Sequence, residues 1–377
     1  MFGTRLQIFR LFGIRFYVDI SWLLILALFT WTMSEYFRQE LPGREWLEYG
    51  LMGLVTALAF FVCILLHEMG HAVVAQSIGM PVRGITLFMF GGVAELEGEP
   101  QTAGHEFAVA IGGPLVSLGL AIGCWVGATL GTQMAWGAPL IVMLGYLASI
   151  NLVVLLFNLV PAFPLDGGRV LRSALWGATG SLRKATYWAS LAGQTFAWFL
   201  IILGVVQFFL GNFVGGMWMG LIGLFLRSAA QGSYQQVLVQ EALVGEPVYR
   251  FMNTEPIVVP PGLDVQHWVE DYVYRHHRKS FPVVADGQLQ GLMTTRALSQ
   301  VPRDEWSRRT VGELMQRDVA AVSIAPDAEA IDALKKMQRT GSTRLLVMQG
   351  EELVGIVSLK DLMRFLRLKL GLEELEE

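Results

Sequence analysis

Charged residues are scarce in this chain, since only 16% of its 377 residues are Asp, Glu, Lys or Arg. An ordinary soluble protein carries about 25%. The deficit is uneven, because residues 101–168 contain only Glu106 and Asp166 as charges. Cysteine is also rare, and Cys63 and Cys124 both lie in apolar runs, which excludes a disulfide framework. The net charge of −4 argues against nucleic acid as a partner. The composition therefore predicts a chain embedded in a membrane over much of its length.

Long apolar runs supply the candidate membrane segments. Each is roughly long enough to cross a hydrocarbon core of ~30 Å as a helix. Basic residues concentrate in the loops on one side, for example Arg15, Arg83 and Lys184, which predicts that both termini face the cytoplasm. The six predicted segments lie near 16–35, 50–74, 106–130, 138–160, 189–210 and 214–228.

Within the second apolar run stands His67-Glu68-Met69-Gly70-His71, an H-E-x-x-H motif. Ionisable residues inside a membrane are costly, so such a group indicates a functional site. His67 and His71 are one helical turn apart, which places both imidazoles on one face at the spacing typical of zinc ligands. Glu68 is then placed to act as a general base toward the water that attacks a substrate. The alternative is a chance match.

A catalytic zinc site needs three protein ligands and an open position, so the two histidines predict a third. Asp166 is the candidate, because it ends a long apolar segment in which Pro161 and Pro164 break the helix. A carboxylate on a broken helix can turn toward a metal on a neighbouring segment, provided that the irregular backbone is buried or lines a cavity. The alternative is a simple loop where the helix leaves the membrane.

Residues 84–91 and 92–98 alternate loosely and are punctuated by glycine, which predicts two short strands in a hairpin. An exposed strand edge beside the metal site could pair with an extended peptide. A plain cytoplasmic hairpin is equally compatible with the sequence.

From Gln240 onward the composition is that of a soluble domain, and it contains an internal repeat. Phe281-Pro-Val-Val284 corresponds to Arg344-Leu-Leu-Val347, and Gly291-Leu-Met-Thr294 corresponds to Gly355-Ile-Val-Ser358, at an offset of 63 to 64 residues. Each copy predicts the order strand, helix, strand, strand, helix.

Residues from about 15 to 230 resemble the site-2 proteases, which are intramembrane zinc metalloproteases. The matching pieces are His67 to His71, the Gly91-Gly92-Val93-Ala94 hairpin, Gly113-Pro114, and Asn158 through Gly168. The resemblance implies one Zn²⁺ held by His67, His71 and Asp166, with Glu68 as the catalytic base and Asn158 as a polar group of the active site. On the hairpin it places strand pairing with the substrate at Gly92, Val93 and Ala94.

The tail resembles a tandem pair of cystathionine-β-synthase (CBS) domains, in repeats at about 247–303 and 310–368. Such pairs often bind adenine nucleotides through a signature that the second copy matches at Gly355-Ile-Val-Ser358-Leu-Lys-Asp361. The resemblance implies ATP, ADP or AMP as a regulatory ligand contacted by Ser358 and Asp361. The first copy has Ala297 where Asp is expected. The alternative is a degenerate pair that serves only to form a homodimer.

Together these patterns predict a polytopic α-helical membrane domain (1–230) with about six transmembrane helices and a membrane-associated β-hairpin. A linker (231–246) and a cytoplasmic α/β pair of CBS domains (247–377) follow. The predicted function is intramembrane proteolysis of a transmembrane protein substrate in the lipid bilayer of a bacterial or archaeal cell membrane. The alternative is a non-catalytic, nucleotide-sensing transporter or binding subunit, because CBS pairs also occur on transporters and channels.

Overall fold

The computed structural model describes residues 5–11, 13–89, 91–96, 98 and 100–373. The chain divides into two compact units, 1–237 and 238–377. The first unit is mainly helical with one small sheet, and the second alternates short helices with short strands.

Within the described residues, the first unit is built on seven helices, of which α7 ends in the second unit. Five of them, namely α2, α3, α4, α6 and α7, are long and apolar enough to cross a membrane. A helix suits that environment because it satisfies its backbone hydrogen bonds internally. The chain is a multi-pass membrane protein, as the sequence predicts. The helices are α1 (Ser21–Glu40), α2 (Trp46–Ser77), α3 (Ala103–Gln133), α4 (Ala138–Asn158), α5 (Asp166–Thr179), α6 (Leu182–Phe209) and α7 (Phe213–Leu243).

The first predicted membrane segment differs from the structure in two respects. It forms α1, which is not among the five candidate spans, since its last turns carry Glu35, Arg38 and Glu40. Its first residues, 16–19, belong to a strand. Ile14, Phe16 and Val18 are buried and alternate with more exposed neighbours, which is the period of a strand and not of a helix. By length and composition the described residues thus contain five candidate spans, where about six are predicted.

The predicted hairpin is part of a larger sheet, in the order β1-β2-β3-β4. Strands β2 and β3 run parallel, and the two outer pairs are antiparallel. Ile14, Phe16 and Ile85 pack against Ala72 of α2, so the sheet lies on this helix directly after His71. The strands are β1 (Arg5–Leu11), β2 (Ile14–Asp19), β3 (Val82–Phe88) and β4 (Gly91–Leu96).

The second unit contains two copies of one strand pair. In both copies the antiparallel pair has an irregularity at the same place, after Val283 in the first and after Val347 in the second. The repeat predicted from the sequence is therefore also present in the local geometry of the two strand pairs. The elements are α8 (Val265–His267), β5 (Ser280–Ala285), β6 (Gln288–Thr294), α9 (Val311–Leu314), β7 (Ser323–Ile324), α10 (Ala330–Thr340), β8 (Arg344–Gln349), β9 (Glu352–Ser358) and α11 (Leu359–Glu373).

Each copy also receives a segment from the other. Asn253, which precedes the first strand pair, bridges to Ile356 of β9, and Gln316 bridges back to Leu292 of β6. Leu243 and Val248 are fully buried in the apolar core of the second copy, together with Leu345. The two copies are therefore interlocked.

Candidate metal centre

Helix α2 brings His67 and His71 together in the interior. The two side chains are 4% and 6% exposed, and their Nε2 atoms are 3.3 Å apart. The pair is one helical turn apart, so the helix itself sets this spacing.

Asp166, the first residue of α5, completes a triangle. Its Oδ2 lies 3.2 Å from Nε2 of His67 and 3.3 Å from Nε2 of His71. A tetrahedral metal ion with bonds of about 2.0–2.1 Å has ligand atoms roughly 3.3 Å apart. Two imidazoles and a carboxylate also form a donor set that zinc accepts. The residues present therefore fit the ion that the sequence implies, and among the described residues this is the one cluster of metal-binding side chains.

The glycines after Asp166 permit the tight turn that delivers it. A Cβ atom on Gly167 would lie 2.3 Å from the carbonyl oxygen of Leu159, and one on Gly168 would lie 2.2 Å from the backbone nitrogen of Phe163. Any side chain at these positions would push the loop away from α5. The Asp-Gly-Gly sequence thus reflects close backbone packing.

Helix α3 supports both histidines from behind. Nδ1 of His67 lies 2.8 Å from Oγ of Ser117, and Nδ1 of His71 lies 2.7 Å from the carbonyl oxygen of Val109. A carbonyl can only accept, so His71 donates from Nδ1, and its Nε2 keeps a lone pair for a metal. Between the two contacts, Gly113 leaves room for the rings, because a Cβ atom there would lie 2.2 Å from Nε2 of His71.

Glu68 is a residue of α2, and its side chain lies against β4, the last strand of the sheet. A Cβ atom on Gly92 would lie 2.5 Å from Cγ of Glu68, so the backbone of β4 runs directly over this side chain. The backbone N–H of Ala94 points to the same carboxylate. The hairpin residues predicted to pair with a substrate therefore lie beside the predicted base.

The remaining predicted residues are placed as follows. Asn158 is half-buried as the last residue of α4, and its role stays a prediction. In the tail, Ser358 donates its backbone N–H to Oδ2 of Asp361 at 3.1 Å, and its hydroxyl also bonds that oxygen. Asp361 thus caps the start of α11 and uses part of its acceptor capacity within its own turn. The sequence reasoning did not identify Ser117 or Val109.

A polytopic helical fold with a buried His-His-Asp cluster and an adjacent glutamate defines a class of membrane-embedded metalloproteins. The chain matches Peptidase family M50 over residues 55–134 and 127–203, and the CBS domain over 248–303 and 311–368. The protein therefore belongs to the M50, or site-2 protease, family and carries a tandem pair of CBS domains.

Two relatives that align with nearly the whole chain agree with this assignment. The chain is 36% identical to sll0528 of Synechocystis sp., over 97% of this chain and 96% of that protein, whose name assigns it provisionally to the zinc metalloproteases. Rip3 of Mycobacterium tuberculosis, named in the same way, is 34% identical over 93% of this chain and 90% of its own. A solved site-2 protease from Methanocaldococcus jannaschii covers 61% of this chain and 94% of its own, at 26% identity and a TM-score of 0.42.

Proposed function

We propose that this protein is an intramembrane zinc endopeptidase that hydrolyses a peptide bond within or near a transmembrane segment of a membrane-protein substrate. The observation that carries the proposal is the triangle of ligand atoms from His67, His71 and Asp166, with sides of 3.2 to 3.3 Å. These three residues would hold one zinc ion and leave one position open. When bound, zinc supplies polarisation of the scissile carbonyl and acidification of the attacking water.

Glu68 is the group that moves the proton. It adjoins the first ligand on α2, and the N–H of Ala94 helps to hold its carboxylate in place. In this position it takes the proton of the attacking water and returns it to the leaving amine, as a general base and then a general acid. Asn158 is assigned as a further polar group of the active site.

The edge of β4 is the proposed binding surface for the substrate. Among the described strands β4 has β3 as its neighbour on one side, and it ends the sheet on the other. A helix buries its amides in its own hydrogen bonds, so the substrate has to be extended where it is cut. An extended segment paired with Gly92, Val93 and Ala94 would pass next to Glu68, because Gly92 lies against that side chain.

For the tail, the proposal is an adenine nucleotide as a regulatory ligand. Burial lowers the pKa of Arg344, and the positive charge of nearby Arg278 lowers it further. Two guanidinium groups close together favour an anion such as a phosphate. Asp361 also interacts with Arg344, and we assign its carboxylate to the ribose hydroxyls of a nucleotide whose phosphates bind this basic pair. We also propose that the protein forms a homodimer through the tail and that both termini lie in the cytoplasm. The placement of the termini requires an even number of spans, with α1 as the sixth.

The decisive experiment compares cells that carry the parent or Glu68→Gln and measures, by quantitative proteomics, which membrane-protein fragments are released. It does not require the substrate to be known. The amide keeps the shape of the side chain but cannot take a proton, so release should fall about 10²–10⁴-fold. Zinc content of the purified protein should not change, because Glu68 is not one of the ligands.

A matched control is Glu48→Gln, on the same helix but half exposed and paired with Arg44. It should release the same fragments as the parent. If Glu68→Gln also releases them within a few-fold, the protease assignment is wrong. The protein would then be a metal-binding membrane protein without this activity.

A further inference from the structure

One face in the first half of α3 is turned toward the candidate metal site. Glu106, Val109, Gly113 and Ser117 are spaced by three, four and four residues, which is the period of one helix face. Val109 and Ser117 bond the two histidines, and Gly113 makes room for their rings. Glu106 lies at the end of this row, and it contacts neither histidine.

Glu106 instead forms a buried ion pair with α5. Its side chain is fully buried, and the Arg172 guanidinium is also almost fully buried. Nε of Arg172 lies 2.6 Å from Oε1 of Glu106, and Nη2 contacts the same oxygen. Arg169 is more distant, with Nε at 4.0 Å, and Oε2 of Glu106 has no protein partner among the described residues. Arg172 is therefore the main partner of this buried charge, and the pair joins α3 to α5.

The same arginine also holds the loop that leads to Asp166. Its guanidinium carbon lies 4.9 Å from the centre of the Phe163 ring, a cation–π distance. The backbone of Phe163 packs against Gly168 and donates its N–H to the carbonyl of Ala189 on α6. Phe163 precedes Asp166 in the chain and Arg172 follows it, and the two side chains contact each other. This contact fixes both ends of the segment that carries Asp166.

From these contacts we propose that Glu106 and Arg172 are positioning residues, which fix Asp166 at the metal site by clamping α5 and its preceding loop to α3. Helix α3 then supports all three ligands: it contacts the two histidines directly, and it keeps Asp166 in place through the ion pair. The inference rests on the proposed metal site. It adds two residues whose contribution is to metal affinity and ligand geometry, although they contact no metal.

The test measures metal binding by the full-length protein in detergent, with Zn²⁺ in competition with a chelator and with Co²⁺ by its visible absorption. Direct outer-shell partners of metal ligands typically change affinity by about 10–100-fold. Glu106 and Arg172 act one contact further from the ligands, so Glu106→Gln and Arg172→Gln should each weaken zinc binding by about tenfold, the lower end of that range, and shift the Co²⁺ spectrum. The double variant should bind zinc no more weakly than the single variant with the lower affinity, because both substitutions break the same ion pair. Arg172→Lys keeps the charge and should recover part of the affinity.

Ser190→Ala is the control for a general loss of packing. Ser190 is buried and donates to the carbonyl of Ala230 at 3.1 Å, a bond that joins α6 to α7 and involves none of the three ligands. It should lower the melting temperature and leave zinc affinity and the Co²⁺ spectrum unchanged. Should Arg172→Gln not fold, Arg172→Lys and Glu106→Gln still decide the question.

Unchanged affinity and an unchanged Co²⁺ spectrum in folded Glu106→Gln would overturn the inference and leave the proposed protease intact. A parent protein that binds neither metal would instead overturn the metal site itself. The two failures are therefore distinguishable.

Discussion

In the membrane unit, His67 and Asp166 are 99 residues apart in sequence and meet at 3.2 Å. In the tail, Ser358 and Asp361 are three residues apart and bond each other within one turn of helix. The first arrangement requires two helices and a broken loop to converge on buried polar atoms, which is costly without a ligand to hold. In the second arrangement the two residues satisfy each other's hydrogen bonds, as the residues of an ordinary helix cap do. Convergence from distant elements is therefore stronger evidence of a site than a short motif is.

The sharpest test of this contrast is Asp166→Ala. Loss of a ligand should weaken zinc by more than the roughly 10–100-fold that outer-shell changes cost. His105→Ala is the matched control, because His105 is half-buried near the start of α3 and lies outside the ligand cluster. Metal analysis of both purified variants decides the point. Equal zinc in Asp166→Ala and the parent would remove Asp166 from the site.

A second test fills the space behind the ligands. Gly113→Ala places a methyl group 2.2 Å from Nε2 of His71 and 2.6 Å from Nε2 of His67, so the rings have to move apart. Zinc affinity should fall about as far as for the loss of an outer-shell partner, near 10²-fold. Gly119→Ala, on the same helix with open space around it, should bind zinc normally. If both variants bind zinc like the parent, the close packing of α3 on the histidines is not required.

A third test separates the base from the metal. Gly92→Ala puts a methyl group 2.5 Å from Cγ of Glu68, so that side chain has to shift. A displacement of about 1 Å in a catalytic group can cost on the order of 10²-fold in rate. Fragment release should fall while zinc stays at the parent level. Gly50→Ala makes the same substitution on α2, where nothing lies within 4 Å of the added methyl group, and should change release little. Normal release from Gly92→Ala would contradict the placement of Glu68 beneath β4.

The smallest expected effect concerns the tail. If Asp361 pairs ribose hydroxyls as well as capping α11, Asp361→Ala should weaken ATP, ADP or AMP binding by roughly tenfold, the loss of a charge-assisted hydrogen bond. Calorimetry on the full-length protein measures this directly. Asp332→Ala, an exposed acid on α10, is the control. Binding that is equally weak or absent in the parent and both variants would leave Asp361 as a helix cap alone.

The part of the candidate site that can be predicted from the sequence consists of particular residue types at fixed spacing. His67, Glu68 and His71 follow helix periodicity, and Asp166 is marked by the prolines and glycines that break a membrane helix. The support from α3 was missed for a physical reason. Val109 contributes a backbone carbonyl, which no residue type encodes, and Ser117 is one of many small residues in an apolar helix.

Two further features depend on contacts across the fold. The first predicted membrane segment includes residues 16–19 of β2 because their apolar side chains run into those of α1, and only pairing with β3 makes the alternation decisive. The role of Glu106 as partner of Arg172 depends on two residues 66 positions apart that meet only when α3 and α5 pack.

The interlocking of the two tail copies has a consequence for how the chain is made. Val248 donates its N–H to the carbonyl of Ala328, and Leu243 is buried in a core whose other members lie as late as Leu362. As the polypeptide is synthesised, the segment that follows α7 has no complete surface to pack on until α11 has emerged. The tail can therefore reach its native state only as one cooperative unit after α11 has emerged, and a chain truncated between its two copies would expose apolar residues from both.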